Sequence, residues 1–347
     1  MMSIRSFAIL LAAGLAATAA AAAPPPSSAV DQKLIDAARK DGTVVWYTST
    51  DVEIAEALGK AFEAKYPGVK VQIDRSGSER VFQRIGQEHM ANVQACDLVN
   101  SSDAAHFIYW RREGWLAPYL PEDVAKYFPA DQKDPDGTYA TVRATLSVMG
   151  YNSKLIKSDE APKGFLELLD PKWAGKIVKS HPSYSGGTLT ATFEIARDIG
   201  WDYFEKLAKQ RVMQVESATD PAKKVVLGER PIMADGSEYS LLIARDRGGA
   251  VEPIYPVEGT PLIASPAAIL KDAPHPNAAR LFESFLFSTE GQQLLVDIGA
   301  MRSWHAQVKE RAGRVPMGSI KLMKEDPAGV ERSIEEVKKR YTSYFKT

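Results

Sequence analysis

The chain has 347 residues, with 43 Lys and Arg against 44 Asp and Glu and a single cysteine. So even a charge balance argues against nucleic acid as a partner, and one cysteine excludes an intramolecular disulfide. The length exceeds what one hydrophobic core usually supports, so two lobes are expected.

The first segment reads as an export signal. Arg5 supplies a short positive region, Phe7 to Ala19 is an apolar run too short to span a bilayer comfortably, and Ala19 to Ala23 offers Ala-x-Ala cleavage positions. Pro24 to Ser28 then breaks any helix. Residues 1–23 are therefore expected to be removed, and no cysteine near the cleavage region is available to accept a lipid. Their loss deletes Arg5 and no acid, leaving 42 basic against 44 acidic residues and a formal charge of −2. The mature chain is expected to be soluble, periplasmic and monomeric. Cys96, beside apolar Leu98 and Val99, reads as a small buried hydrophobe.

From residue 43 onward, strand and helix patterns alternate. Thr43 to Tyr47 is a β-rich run ending in the hydroxyl-rich loop Thr48–Asp51. The next pattern is helical, with Ile54, Leu58, Phe62 and Tyr66 on one face and a stop at Pro67-Gly68. Val69 to Ile73 predicts a second strand, followed by the loop Asp74–Ser78, a helix over 79–92, a short strand Asp97–Val99 and the loop Asn100–Asp103. This order predicts an α/β fold with mostly parallel sheets flanked by helices.

Tyr139 to Asn152, with Val142, Ala144, Leu146 and Val148 alternating, predicts a long strand crossing between lobes. A strand after Lys176 leads into the Gly/Ser-rich loop Ser180–Thr188, and Ile232 to Ala234 leads into Asp235–Tyr239 and a further helix. Tyr255 to Ala268 reads as the return crossing, closed by Ser265-Pro266. Pro274 and Pro276 punctuate a turn, and Asn277 is placed to cap a helix with Ala278, Leu281, Phe282, Phe285 and Leu286 on one face, broken near Gly291. The predicted organisation is an N-terminal segment 24–42, a first lobe 43–143, a second lobe 144–262, a return to the first lobe 263–315, and C-terminal helices 316–347 packing on the second lobe.

Open α/β sheets bind ligands outside the carboxyl ends of their strands. Five hydroxyl- or glycine-rich loops meet that description, and they nominate Ser49, Thr50, Ser76, Gly77, Ser78, Ser101, Ser185, Gly186, Gly187, Thr188, Asp235, Ser237, Glu238 and Tyr239. Helix starts favour anions, though Ser and Thr are also ordinary helix caps. The pair Gly186-Gly187 would let backbone approach a ligand closely. Arg143 is a charge in an alternating apolar run, so it either grips an anion bidentately or forms an interlobe ion pair. Arg302 is a second candidate of the same kind, whereas Arg75 and Arg80 read as solvated charges at a helix entry. No G-x-S-x-G elbow, H-E-x-x-H pair or phosphate-binding P-loop occurs, so an exported hydrolase is the weaker reading.

The segments Val44–Thr50 (VVWYTST), Tyr151–Leu155 (YNSKL), Leu168–Ile177 (LLDPKWAGKI) and Asp272–Leu295, in this order, closely resemble periplasmic solute-binding proteins of the iron(III)-type family, which feed ABC importers. The resemblance implies a type II periplasmic-binding fold, two α/β lobes joined by two crossing strands that close over a solute, and an inner-membrane ABC permease as partner. Iron(III) members of that family hold the metal with two adjacent tyrosines, commonly joined by a His or Glu from the first lobe. At the matching place this chain has Ser237-Glu238-Tyr239, so one tyrosine is replaced, and the opening loop offers Thr50-Asp51 without a histidine. An iron(III) site built on Tyr239, Glu238 and Asp51 is the alternative. The expected solute is a small organic anion such as a carboxylate, phosphonate or sugar phosphate, with no cofactor.

Overall fold

The computed structural model describes residues 25–346, so the expected export signal lies outside the described residues. The first part of the chain runs α1 (Gln32–Asp41), β1 (Thr43–Thr48), α2 (Val52–Lys65), β2 (Lys70–Arg75) and α3 (Ser78–Met90). It continues with β3 (Leu98–Asn100), α4 (Ala104–Arg112) and α5 (Glu122–Tyr127). A thirteen-residue strand, β4 (Ala140–Asn152), leads to β5 (Ile177–Ser180), α6 (Gly186–Ile199), α7 (Trp201–Ala208) and β6 (Met213–Val215). After α8 (Asp220–Val226) come β7 (Ile232–Ser237), α9 (Glu238–Asp246) and β8 (Val251–Ile254). The chain returns through β9 (Leu262–Ile269) to α10 (Pro276–Phe287), α11 (Thr289–Asp297) and α12 (Pro327–Phe345). No helix among the described residues is long and apolar enough to cross a membrane.

The strands follow the order β2-β1-β3-β9-β4-β7-β5-β6, with β8 also on β4. β1 pairs in parallel with β2 and β3, and β5 with β6 and β7, while the crossing strands β4 and β9 run antiparallel to their neighbours. Residues Ala140–Leu146 of β4 pair with β9, and from Ser147 onward its partners are β7 and β8. One strand therefore belongs to both lobes, which is why all thirteen of its residues are buried. The predicted closing of the return strand at Ser265-Pro266 is corrected. Pro266 lies inside β9, opposite Thr141, beside a register shift between Thr141 and Arg143 where a missing amide is tolerated.

The segment around the two prolines is anchored by buried Asp97. Its carboxylate accepts from the amides of Val45 (2.7 Å) and His275 (2.7 Å) and lies 2.9 Å from His275 Nδ1. Asn277 is not the cap of α10. Pro276 occupies its first turn, and Asp41 at the end of α1 accepts from the Asn277 and Ala278 amides at 2.8 and 2.9 Å. The helix break falls at Ser288 instead of Gly291, and Ser288 caps α11 through the Gly291 amide. Gly291 is needed for proximity, since a Cβ there would stand 2.2 Å from the Phe285 carbonyl oxygen.

The apolar face of α10 packs as its spacing requires. Phe282 meets Trp46 and Phe62 edge-on, with ring centroids at 5.2 and 4.9 Å. Each such pair adds roughly 0.5–1.5 kcal/mol beyond its buried area. The second lobe has its own core around Phe165, Trp173, Phe204 and Tyr341. α12 supplies Tyr341 to that core, and it also packs on α4 of the first lobe through Val330 and Val337, close to Ala105. It therefore spans both lobes, a wider reach than the C-terminal packing expected from sequence.

Candidate functional site

Between the lobes lies a cleft open to solvent at its mouth, with an interior volume of about 90 Å³. Its floor comes from the crossing strands. Strand alternation sends Ala144, Leu146 and Val148 into a hydrophobic core, so Arg143, Thr145 and Ser147 present the other face, and these three line the cavity. Ile263 of β9 completes the floor. The first-lobe wall carries Ser49, Arg75, Gly77, Ser78, Arg80 and Ser102. The second-lobe wall carries Tyr184, Ser185, Gly187, Glu216, Ser217, Thr219, Ser237 and Tyr239, the Glu216 carboxylate being paired with Arg80.

The lobes touch across the mouth. The Gly186 amide donates to Ser78 Oγ at 2.6 Å, and Arg80 pairs with Glu216 at 2.9 Å. A Cβ at Gly186 would stand 2.5 Å from Asp103 Cβ, so only glycine permits this approach.

Arg143 dominates the electrostatics. It is 3% exposed, its Nη1 donates to Thr145 Oγ1 at 3.3 Å, and its Nε has no partner. Among the described residues no carboxylate forms an ion pair with it. Burial holds its pKa below the usual range, Tyr239 opposes that shift, and Arg75 adds to it. Arg75, at the mouth, donates from Nε to the Thr50 carbonyl at 3.3 Å and likewise has no carboxylate partner among the described residues. Burial raises the Tyr239 phenol, and Arg143 counteracts that shift. The cavity thus holds two unneutralised guanidinium groups among hydroxyls, beside the positive end of the α6 dipole, although the Gly186 and Thr188 amides there are already taken by Ser78 and Ser185.

Of the residues nominated from sequence, Ser49, Gly77, Ser78, Arg143, Ser185, Gly187, Ser237 and Tyr239 line the cavity. Several others are occupied elsewhere. Thr50 Oγ1 donates to Asn100 Oδ1 at 2.9 Å, Ser101 Oγ faces His106, and the Ser76 amide closes onto the Thr48 carbonyl. Thr188 shares a short hydroxyl contact with Ser180, and the Gly186 amide is used by Ser78. Asp235 is removed from the ligand set because it pairs with Lys179 at 2.5 Å, both side chains being almost fully buried.

Glu238 and Arg302 are corrected together. Arg302 binds both Glu238 oxygens, from Nε at 3.0 Å and Nη2 at 2.7 Å, and Arg314 and Tyr255 complete the carboxylate's shell. This network holds Glu238 below the usual carboxylate range against the opposing effect of burial. Asp51 caps α2 by accepting from the Glu53 amide at 3.2 Å. The set Tyr239, Glu238 and Asp51 is therefore divided between the cavity, an ion-pair network and a helix cap.

Sequence reading missed Arg75, Arg80, Ser102, Thr145, Ser147, Tyr184, Ser217 and Thr219. For Thr145 and Ser147 a signal was present: the alternation that buries Ala144 and Leu146 turns their neighbours to the cavity.

A family model described as bacterial extracellular solute-binding protein matches residues 46–293. The fold is similar to that of the periplasmic binding protein AfuA from Actinobacillus pleuropneumoniae with fructose-6-phosphate bound (TM-score 0.81, 24% identity, 88% of this chain and 99% of that one). It is also similar to iron-bound HitA from Pseudomonas aeruginosa (TM-score 0.75, 22% identity, 87% and 99% covered). Among curated relatives, the probable ABC transporter periplasmic-binding protein y4fP of Sinorhizobium fredii is 24% identical over 231 residues, 64% of this chain and 63% of that protein. The chain belongs to the bacterial extracellular solute-binding proteins and has the two-lobed type II periplasmic-binding fold that its ordered sequence segments indicated.

Proposed function

We propose that this protein captures a small phosphorylated organic anion, of the sugar-phosphate class, in its interlobe cavity and delivers it to an inner-membrane ABC permease from the periplasm. The observation that carries this reading is Arg143, a guanidinium 3% exposed with no carboxylate partner among the described residues. A buried cation without a counterion is costly, and a bound anion would relieve that cost through a bidentate contact. Arg75 supplies a second positive charge suited to a dianionic head, and Thr145, Ser147, Ser217 and Thr219 offer hydroxyls for a polyol body. AfuA, with fructose-6-phosphate bound, is consistent with this class. A ferric ion would instead sit against the Arg143 guanidinium, and charge repulsion disfavours it there. The lobes bounded at 43–143 with 263–315, and at 144–262, would close about β4 and β9 when the solute bridges them.

The test is calorimetry on protein freed of retained solute by unfolding and refolding. Fructose-6-phosphate and glucose-6-phosphate are expected to bind with micromolar affinity, about −8 kcal/mol, and the unphosphorylated sugars not at all. Failure of every phosphorylated sugar, together with a visible tyrosinate-to-iron band on adding ferric citrate, would replace this reading with iron capture.

A further inference from the structure

Behind the first-lobe wall, separate from the solute cavity, three side chains of metal-ligating type converge. Glu79 comes from the first turn of α3, Asp103 caps α4, and His106 follows in the first turn of α4. They are 4%, 0% and 2% exposed. One ligand atom of each lies within 4.8 Å of the other two. His106 Nε2 stands 3.2 Å from Glu79 Oε1 and 3.6 Å from Asp103 Oδ2.

An ion-pair network alone accounts for Glu79, whose Oε2 also accepts from Lys338 Nζ at 2.7 Å. It leaves Asp103 unexplained. The single N–H that Nε2 can carry serves one acceptor, and Glu79 is the one at hydrogen-bond distance. Asp103 Oδ1 is taken by the Ala105 amide at 2.9 Å, whereas Oδ2 is buried with no hydrogen-bond partner and faces the same imidazole nitrogen. Leaving a buried carboxylate oxygen unserved is unfavourable. A cation placed between the three atoms would satisfy both carboxylates and the nitrogen lone pair at once.

The dimensions suit such an ion. Zinc binds imidazole nitrogen and carboxylate oxygen at about 2.0–2.2 Å, which spaces neighbouring ligand atoms roughly 3.0–3.5 Å apart. The 3.2 and 3.6 Å separations are of that size. The outer partners are in place as well. Ser101 Oγ lies 3.5 Å from the second ring nitrogen, Nδ1, and Phe82 stacks on the imidazole with centroids 4.3 Å apart. The absence of a side chain at Gly186 leaves space for Asp103, since a Cβ there would come within 2.8 Å of Oδ2.

We propose that Glu79, Asp103 and His106 form a site for a divalent first-row transition ion, with Zn²⁺ the fitting probe and water completing its coordination. One imidazole with two carboxylates is a borderline nitrogen and oxygen donor set that zinc accepts. The ion would tie the start of α3 to the start of α4, fixing the loops that carry Ser78 and Ser102 into the solute cavity. Lys338 would remain as an outer partner of Glu79, linking α12 to the same cluster.

The experiment uses the full mature protein, stripped with a chelator and titrated with ZnCl₂ by calorimetry. One equivalent is expected to bind at micromolar affinity or tighter. Asp103→Asn and His106→Gln should each weaken binding at least tenfold while retaining the wild-type circular dichroism spectrum. X-ray absorption of the zinc-loaded wild type should report one imidazole and oxygen donors without sulfur, which decides the matter even if a variant fails to fold. Stoichiometric binding absent below about 100 µM zinc, unchanged affinity in a folded Asp103→Asn, or an absorption spectrum with more than one imidazole would overturn the site. The cluster would then be an ion-pair network only. Sugar-phosphate affinity is measured on separate samples through Arg143, so failure of one proposal leaves the other standing.

Discussion

Replacing Arg143 with methionine should move stability and affinity in opposite directions. In the ligand-free protein the guanidinium is buried, with one hydrogen bond to Thr145 and no carboxylate partner among the described residues. Exchanging such a charge for an apolar chain of similar length is expected to stabilise the apo-protein by about 1–4 kcal/mol. The same exchange removes two charge-assisted hydrogen bonds to the anion, each worth about 1.5–3 kcal/mol. The combined loss of about 3–6 kcal/mol corresponds to a weakening of roughly a hundredfold to ten-thousandfold. Urea unfolding of the apo-protein gives the first quantity, and calorimetry with fructose-6-phosphate gives the second. Arg143→Lys should recover only part of the affinity, because an ammonium cannot reproduce the planar fork. An Arg143→Met protein that is less stable than wild type yet binds the sugar phosphate normally would refute the reasoning and make Arg143 a structural residue.

Gly186→Ala should hold the cleft open, since the new Cβ would meet Asp103 across the lobe seam; small-angle scattering should show a larger radius of gyration with solute than wild type has, and identical profiles would contradict this. Glu238→Gln should destabilise the fold by about 3–5 kcal/mol, because it removes the carboxylate that buried Arg302 and Arg314 share and leaves Arg302 only the half-exposed Glu310. Solute affinity at the Arg143 site should change less than twofold, and a larger change would return Glu238 to the binding site. Glu283, 2% exposed on α10, has its carboxyl pushed up to about 8 by burial. The folded state then binds a proton that the unfolded chain releases near pH 4.5, so this contribution to stability is present below pH 4.5 and lost as pH rises toward 8. Glu283→Gln should flatten that decline in denaturation curves taken between pH 5 and 8, whereas an unchanged slope would assign the decline to other groups.

The parts of the fold that were legible in sequence are those governed by local pattern. The strand-loop-helix order through residue 103 and the buried face Ile54, Leu58 and Phe62 follow from periodicity within a few residues. Arg143 was conspicuous because strand alternation makes a lone charge stand out. What escaped depends on partners distant along the chain. Glu238 and Arg302 are 64 residues apart, and neither sequence neighbourhood reveals that each neutralises the other. The cap of α10 came from Asp41, a residue 236 positions away from Asn277, so a locally plausible cap was displaced by a carboxylate from another helix. Arg75 was read as a solvated charge because a helix entry looks the same whether or not an opposing lobe covers it.

The place of β9 in the sheet also bears on the order in which the protein assembles. It lies between β3 and β4, yet it is separated from β3 by more than 160 residues, as the pairing of Val99 with Ala268 shows. Everything from β5 to β8 comes before it in the chain and pairs without it. The pairings of β5 to β7 can thus form within one continuous stretch, with the α12 residues of the second-lobe core still to arrive, while the first lobe waits for its central strand. Until then the open side of β3 and the first half of β4 expose unpaired backbone, the kind of edge that recruits other chains. Closing so long a loop is also slow, as it is for sheets dominated by distant pairings. The strand that makes one molecule of two lobes is therefore the one whose late arrival leaves the first lobe most open to misassembly.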